Sequence, residues 1–213
     1  MSFRDATLMA FGEALASNRP TPGGGCAAAL AGSLASALVA MVARTTAGSK
    51  KFADRAAQME AIAREADALR ADFLTLVDED AAAFDQVMRA FRLPKATAEE
   101  QAARTRAIQD GYRTAAGPPM KVCDRAVRAL ELVVQVAAQG TPGAISDAGV
   151  AALLASAALE GGALNVRINL ASLEDEDAKS ALRDQLGALQ SRGAREADTA
   201  RAAVAGRLEQ AKA

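Results

Sequence analysis

Between Lys51 and Phe91 the large apolar residues recur with the period of an α-helix. At about 100° per residue, Phe52, Met59, Ile62, Leu69, Phe73, Leu76, Val77, Phe84, Val87, Met88 and Phe91 fall on one stripe. A stripe that long is stable in water only when other helices cover it. The rest of the chain reads the same way. Helical periodicity predicts segments over about 3–16, 26–46, 97–116, 120–138, 146–170 and 174–211. They are divided by Ser17–Gly25, Arg92–Lys95, Gly117–Pro119 and Gly140–Gly143, where Pro and Gly cluster. Thr97 and Glu100 spell a capping box, and Ser146 reads as the N-cap of the segment that follows it. No stretch alternates with strand period, and no linker divides the chain. The expectation is all-α: one domain over residues 1–213, a bundle of about six or seven helices.

The core of such a bundle must be built from small side chains, because aromatic residues make up only 3% of the sequence. Ala28, Gly32, Ser36 and Ala40 recur every four residues and give one helix a face that lets a neighbour approach closely. Cys26 to Ala43 carries no charge over 18 residues, the lower edge of a membrane span. Its Ala, Gly and Ser content favours a buried central helix instead. Neither 26–46 nor 146–170 has an evident wet face, so either the bundle or a second subunit covers them.

Several functions are excluded by what is missing. The sequence has no histidine, which removes Ser-His-Asp and Cys-His catalysis and any His-ligated metal. Proton transfer must fall to Asp, Glu, Lys, Cys or the one tyrosine, Tyr112. A net charge of −1 with mixed signs argues against a nucleic-acid partner. Cys26 and Cys123 lack metal spacing and suggest a reduced, cytoplasmic protein without disulfides. The first residues lack the features of a signal peptide.

Within these limits, Asp80 stands out. It lies near the middle of the apolar stripe, whereas Asp78 and Asp85 point away and Glu79 sits on the flank. A carboxylate turned toward a core is costly unless bonded, and burial raises its pKa toward the range of a general base. A structural Asp bonded to a neighbouring helix is the alternative. Gly23, Gly24 and Gly25 open a helix, where free N–H groups can face a ligand; a tight interhelical turn accounts for them equally well. Asn165 and Asn169 share a face one turn apart, as two ligand contacts or as links between helices. Ser146 and Asp147 read first as an N-cap and a first-turn acid. Lys50, Lys51 and Lys95 sit at breaks, where an ammonium can meet an anionic tail or simply be solvated. Cys26 has no visible partner base and reads as packing.

Taken together, PTPGGGCAAALAGSLASALVAMVARTT, GSKKF, VDEDAAAFDQVMRAFRLPKAT, ISDAGVAALL and ALNVRINL closely resemble the formiminotransferase-cyclodeaminase C-terminal family, in the family's motif order over about residues 3 to 190. Its members include the cyclodeaminase half of a bifunctional folate enzyme and stand-alone methenyltetrahydrofolate cyclohydrolases. The resemblance implies an all-α homodimer that acts on tetrahydrofolate derivatives, polyglutamylated or not, without metal or further cofactor, membrane or nucleic acid. The family's proton-accepting aspartate lies in a motif like Asp-x-Asp-x-x-x-Phe, whose second Asp matches Asp80. Gly23–Gly25, Ser146, Asp147, Asn165 and Asn169 become expected substrate contacts, and Lys50, Lys51 and Lys95 expected contacts of the glutamate tail. Cys26, Arg44 and the Gly140–Gly143 loop depart from the family's usual residues and bear on substrate preference. Conversion of 5-formiminotetrahydrofolate to 5,10-methenyltetrahydrofolate is the first expectation and hydrolysis of the methenyl compound the second. A folate-binding dimer without catalysis is the rival from another class.

Overall fold

The computed structural model describes residues 2–210. They form seven α-helices: α1 (Leu8–Leu15), α2 (Gly24–Ala47), α3 (Ala56–Phe91), α4 (Ala98–Ala115), α5 (Gly117–Gln139), α6 (Ile145–Ala171) and α7 (Glu176–Gln210). Short 3-10 turns cover Lys50–Arg55 and Pro142–Ala144, and no strand occurs among the described residues. The all-α bundle expected from periodicity is the fold observed.

Helix α2 is the axis, packed against α3, α5 and α6, with α7 lying over α5 and α6. Its small-residue face explains why: Ala28, Gly32, Ser36 and Ala40 are all buried. A Cβ on Gly32 would come within 2.5 Å of the Phe73 ring of α3, and one on Gly161 of α6 would come within 2.9 Å of the Ala28 methyl. Phe73 is fully buried and fills the space that Gly32 leaves. Hydroxyls in this dry seam are spent locally: Ser36 donates to the Gly32 carbonyl at 2.9 Å and Ser33 to that of Arg70 at 3.2 Å. Helices α2 and α6 run antiparallel, since Gly24 lies beside Asn165 and Gly140, just before α6, lies beside Val42 and Thr46.

Several predicted boundaries move, each for a local reason. The first helix begins at Leu8, with the Thr7 hydroxyl accepting from Ala10 N–H at 3.1 Å. The residues before it are held by Asp78 of α3, which accepts from the Ser2 hydroxyl and the Phe3 N–H, both at 2.6 Å. The 51–91 segment starts as a 3-10 turn, where Phe52 (φ −120°) breaks the helical path. Pro118 and Pro119, read as a break, instead stand in the first turn of α5, where a missing N–H costs no bond. Ser146 is not an N-cap: α6 starts one residue earlier, after Ala144, and Ser146 lies exposed inside it. The capping box at Thr97 and Glu100 forms as expected.

Within one chain the bundle leaves part of both apolar helices uncovered. On α2, Leu34 and Met41 are 45% and 36% exposed; on α6, Leu153 and Ile168 are 62% and 67% exposed. Both helices are long and apolar enough to cross a membrane by length and composition, yet α2 buries 61% of its most apolar stretch within the bundle.

Candidate active site

The N-terminus of α2, the second half of α3, the end of α4 and the last turns of α6 enclose a cavity of about 480 Å³. That volume suits a ligand of drug or coenzyme size. One wall is apolar: Phe84, Val87, Met88 and Phe91 of α3, Ile168 of α6, and Pro20 before α2. Tyr112 of α4 meets Phe91 edge to face, with centroids 6.2 Å apart. Such a wall suits a flat heteroaromatic ring. The polar part of the lining is Asp80, the glycines Gly23–Gly25, Asn165, Asn169 and Ser172.

Asp80 reaches this cavity because the stripe that buries Met59, Phe73 and Val77 continues into it. Here the covering helix α2 has just begun, and three glycines leave room. A Cβ on Gly25 would come within 2.5 Å of Asp80 Cγ and Oδ2. The need is for space rather than backbone freedom, since no glycine among the described residues has positive φ. Ala27 N–H is bonded to the Gly23 carbonyl, so the first-turn amides ahead of it have no helical partner: that of Cys26 is turned to Asp80, and those of Gly24 and Gly25 stand at the positive end of the helix.

Burial pushes the Asp80 carboxyl above the ordinary carboxylate range, while the thiol and backbone amide of Cys26 pull it back. The Cys26 thiol lies 3.3 Å from Asp80 Oδ2 and 3.3 Å from the Val77 carbonyl. Burial, then the Asp80 charge, pushes that thiol up to about 12, so it keeps its proton and can donate it to the carboxyl. The neighbouring carboxylates face elsewhere. Glu79 pairs with Lys121 at 2.9 Å, and Asp78 holds the chain start.

Asn165 and Asn169 come together as their spacing predicts. Asn165 Nδ2 donates to the Gly161 carbonyl at 2.8 Å, and Asn169 Nδ2 donates to the carbonyls of Ala115 and Asn165 at 3.1 and 2.9 Å. Asn169 thus spends both of its amide N–H groups on the fold and Asn165 one of its two, which leaves both Oδ1 atoms and one Asn165 N–H available to a ligand. Asn169 therefore links α6 to α4, Asn165 bonds within α6, and both line the cavity. Among the described residues no three acidic or thiol groups converge to hold a metal.

The other predicted contacts are not brought here within one chain. Lys50 and Lys51 follow the far end of α2, about 36 Å from its start at 1.5 Å per residue. Both are exposed, and Lys51 lies over the Phe52 ring. Ser146 and Asp147 stand at the same far end, about 27 Å before Asn165 along α6. Lys95 is exposed, four residues beyond the cavity residue Phe91. Arg44 pairs with Asp67 on the outer surface, and the Gly140–Gly143 loop is tied to α2 by Thr141 N–H donating to the Thr46 hydroxyl at 2.8 Å. The sequence did not single out the cavity's Tyr112, Phe84 and Ser172, nor the contact of Cys26 with Asp80.

Comparison with known proteins finds relatives along nearly the whole chain. Residues 7–188 match the family described as formiminotransferase-cyclodeaminase. A methenyltetrahydrofolate cyclohydrolase of Methylorubrum extorquens is 41% identical over 88% of this chain and 91% of its own. The formimidoyltransferase-cyclodeaminase of Rattus norvegicus is 34% identical over 99% of this chain, which spans 38% of that longer relative. The crystal structure of the formiminotetrahydrofolate cyclodeaminase of Thermotoga maritima superposes with a TM-score of 0.86, covering 96% of this chain and 98% of that one at 26% identity.

Proposed function

The chain belongs to the formiminotransferase-cyclodeaminase family, and on that footing we propose that it is a folate cyclodeaminase, closing 5-formiminotetrahydrofolate to 5,10-methenyltetrahydrofolate with release of ammonia. The observation that carries the site assignment is a single carboxylate, of raised pKa, in a cavity that has one apolar wall and no other charged lining residue. N10 attacks the carbon of the formimino group, which enters protonated as an amidinium cation, to give a tetrahedral centre that bears an amino group and bridges N5 and N10. Asp80 takes the N10 proton and hands it to the amino group, which leaves as ammonia while the lone pair of the ring nitrogen forms the methenyl bond. A carboxylate whose pKa lies nearer neutrality serves both halves of that shuttle. The apolar wall excludes water that would intercept the bridge. The Asn165 and Asn169 oxygens would accept from the pterin's N–H edge, and the Gly24 and Gly25 amides would favour negative charge beside them.

The second reading is methenyltetrahydrofolate cyclohydrolase, favoured by the 41% identity to the Methylorubrum enzyme over nearly its whole length. The same groups serve. Water adds to the methenyl carbon and gives one proton to Asp80, which passes it to N5 as the N5–C bond breaks; the hydroxyl proton leaves to solvent, giving 10-formyltetrahydrofolate. Both readings make the chain an enzyme acting on folate C–N bonds. Following methenyltetrahydrofolate by absorbance separates them: growth from the formimino substrate supports the first, and decay of the methenyl compound beyond its uncatalysed rate supports the second. No turnover of either would leave only a folate-binding protein.

We further propose a homodimer, with the exposed faces of α2 and α6 as its seam. A two-fold axis near Leu34 would set two α2 helices antiparallel and bring one copy's Lys50, Lys51, Ser146 and Asp147 toward the other's cavity, where the lysines could meet the glutamate tail. Lys95 would serve the tail from the same chain. The double variant Val150→Glu/Leu153→Glu is expected to halve the mass measured by light scattering and to raise KM for polyglutamylated folate; a monomeric wild type would overturn this arrangement. Both thiols are free, as suits a cytoplasmic protein.

A further inference from the structure

We propose that Cys26 is the positioning residue of the site: its thiol anchors Oδ2 of Asp80 and leaves Oδ1 to meet the substrate. The inference rests on the reading of Asp80 as the proton-transferring group. Cys26 is fully buried, its Sγ lies 3.3 Å from Oδ2, and the carboxyl itself lines the cavity. Oδ1 accepts from no other side chain, yet it is not sealed from solvent. A carboxyl turns easily about its last torsion, so a reacting oxygen keeps its place only if the other is held. Asn169 spends both of its N–H groups on carbonyls and Asn165 one of its two, and neither amide bonds Asp80. The thiol is the one side-chain donor in contact with the carboxyl. It is a weak donor, which steadies a carboxylate without quenching its basicity as an arginine would.

No other charged group competes for this role. From α3, Asp78 and Glu79 are engaged outward with the chain start and Lys121. From α4, Tyr112 is the one titratable residue that lines the cavity, and the α6 residues that line it carry no titratable group. The competing role for the thiol is structural, since its proton has the Val77 carbonyl within equal reach.

Comparing wild type, Cys26→Ser and Cys26→Ala separates the two. Donation favours the ionised carboxyl, so its loss in Cys26→Ala is expected to move the acid limb of kcat upward by roughly one pH unit. A several-fold fall in kcat with little change in KM should accompany the move, and Cys26→Ser should restore the limb to the wild-type position or below. Superimposable limbs in all three proteins would overturn the proposal. The S–H stretching band of Cys26, isolated as wild type minus Cys26→Ser by infrared difference, is expected to shift as Asp80 titrates and to change in Asp80→Asn. A band indifferent to both would assign the thiol to Val77 and overturn the proposal as well. The infrared measurement needs no turnover, so it stays decisive even if neither folate is a substrate.

Discussion

Asp80→Asn is expected to lower kcat by about a thousandfold, the scale of losing a positioned acid–base group, with KM changed far less. Asparagine keeps the shape and can still accept from the Cys26 thiol, but it cannot hold a proton in transit. Activity within a few-fold of wild type in a folded variant would remove Asp80 from the mechanism. Stability should move the other way. The folded chain holds the Asp80 proton more tightly than the unfolded chain, because burial raises this pKa. Between the unfolded and folded pKa values the folded state binds more protons, so stability falls as pH rises through that window and stays lower above it. The asparagine variant lacks this loss. Its melting temperature near neutral pH is expected to equal or exceed that of wild type, and the difference should close in acid below the ordinary carboxylate pKa. A variant that is inactive and no less stable would show that the carboxylate is kept for chemistry rather than for the fold.

Gly25→Ala should be the second most damaging change, although it adds one methyl group. That methyl would overlap the Asp80 carboxyl, with Cγ and Oδ2 only 2.5 Å away. The carboxyl must swing out, and displacement of a reacting group by about 1 Å costs on the order of a hundredfold in rate. The stability cost is bounded at about 1–3 kcal/mol, as for overpacking elsewhere. Gly187→Ala, in α7 with nothing within 4 Å of its Cβ, is the control that should leave rates unchanged. Made in the Asp80→Asn background, Gly25→Ala should add little further loss of turnover, because both changes disable the same group. Full additivity would mean that Gly25 serves the ligand directly.

Much of this was readable in the sequence where one helix alone decides the outcome. The α3 stripe placed Asp80 inward because a helix repeats its faces whatever surrounds it, and the spacing of Asn165 and Asn169 put both on the cavity side. What stayed hidden depends on partners distant in the chain. Cys26 and Asp80 are 54 positions apart, and nothing beside either residue announces the contact. Tyr112 and Ser172 line the cavity only because α4 ends where α6 ends. Lys50, Lys51, Ser146 and Asp147 show the converse: the breaks marked them as exposed ends, but not which end of the bundle they would occupy. Ser146 failed as a cap because the 3-10 turn at Pro142–Ala144 runs straight into α6.

Phe73 and Asp80 lie seven positions apart on α3, and the glycines that receive them, Gly32 and Gly25, lie seven apart on α2. The ring and the carboxyl are therefore successive knobs in one antiparallel row, two turns apart. The buried ring fixes the sliding register of the two helices, and the same register sets the depth of the carboxyl in its pocket. Core substitutions at Phe73 or Gly32, far from any substrate atom, should then change reaction rate in step with the slip they allow between α2 and α3.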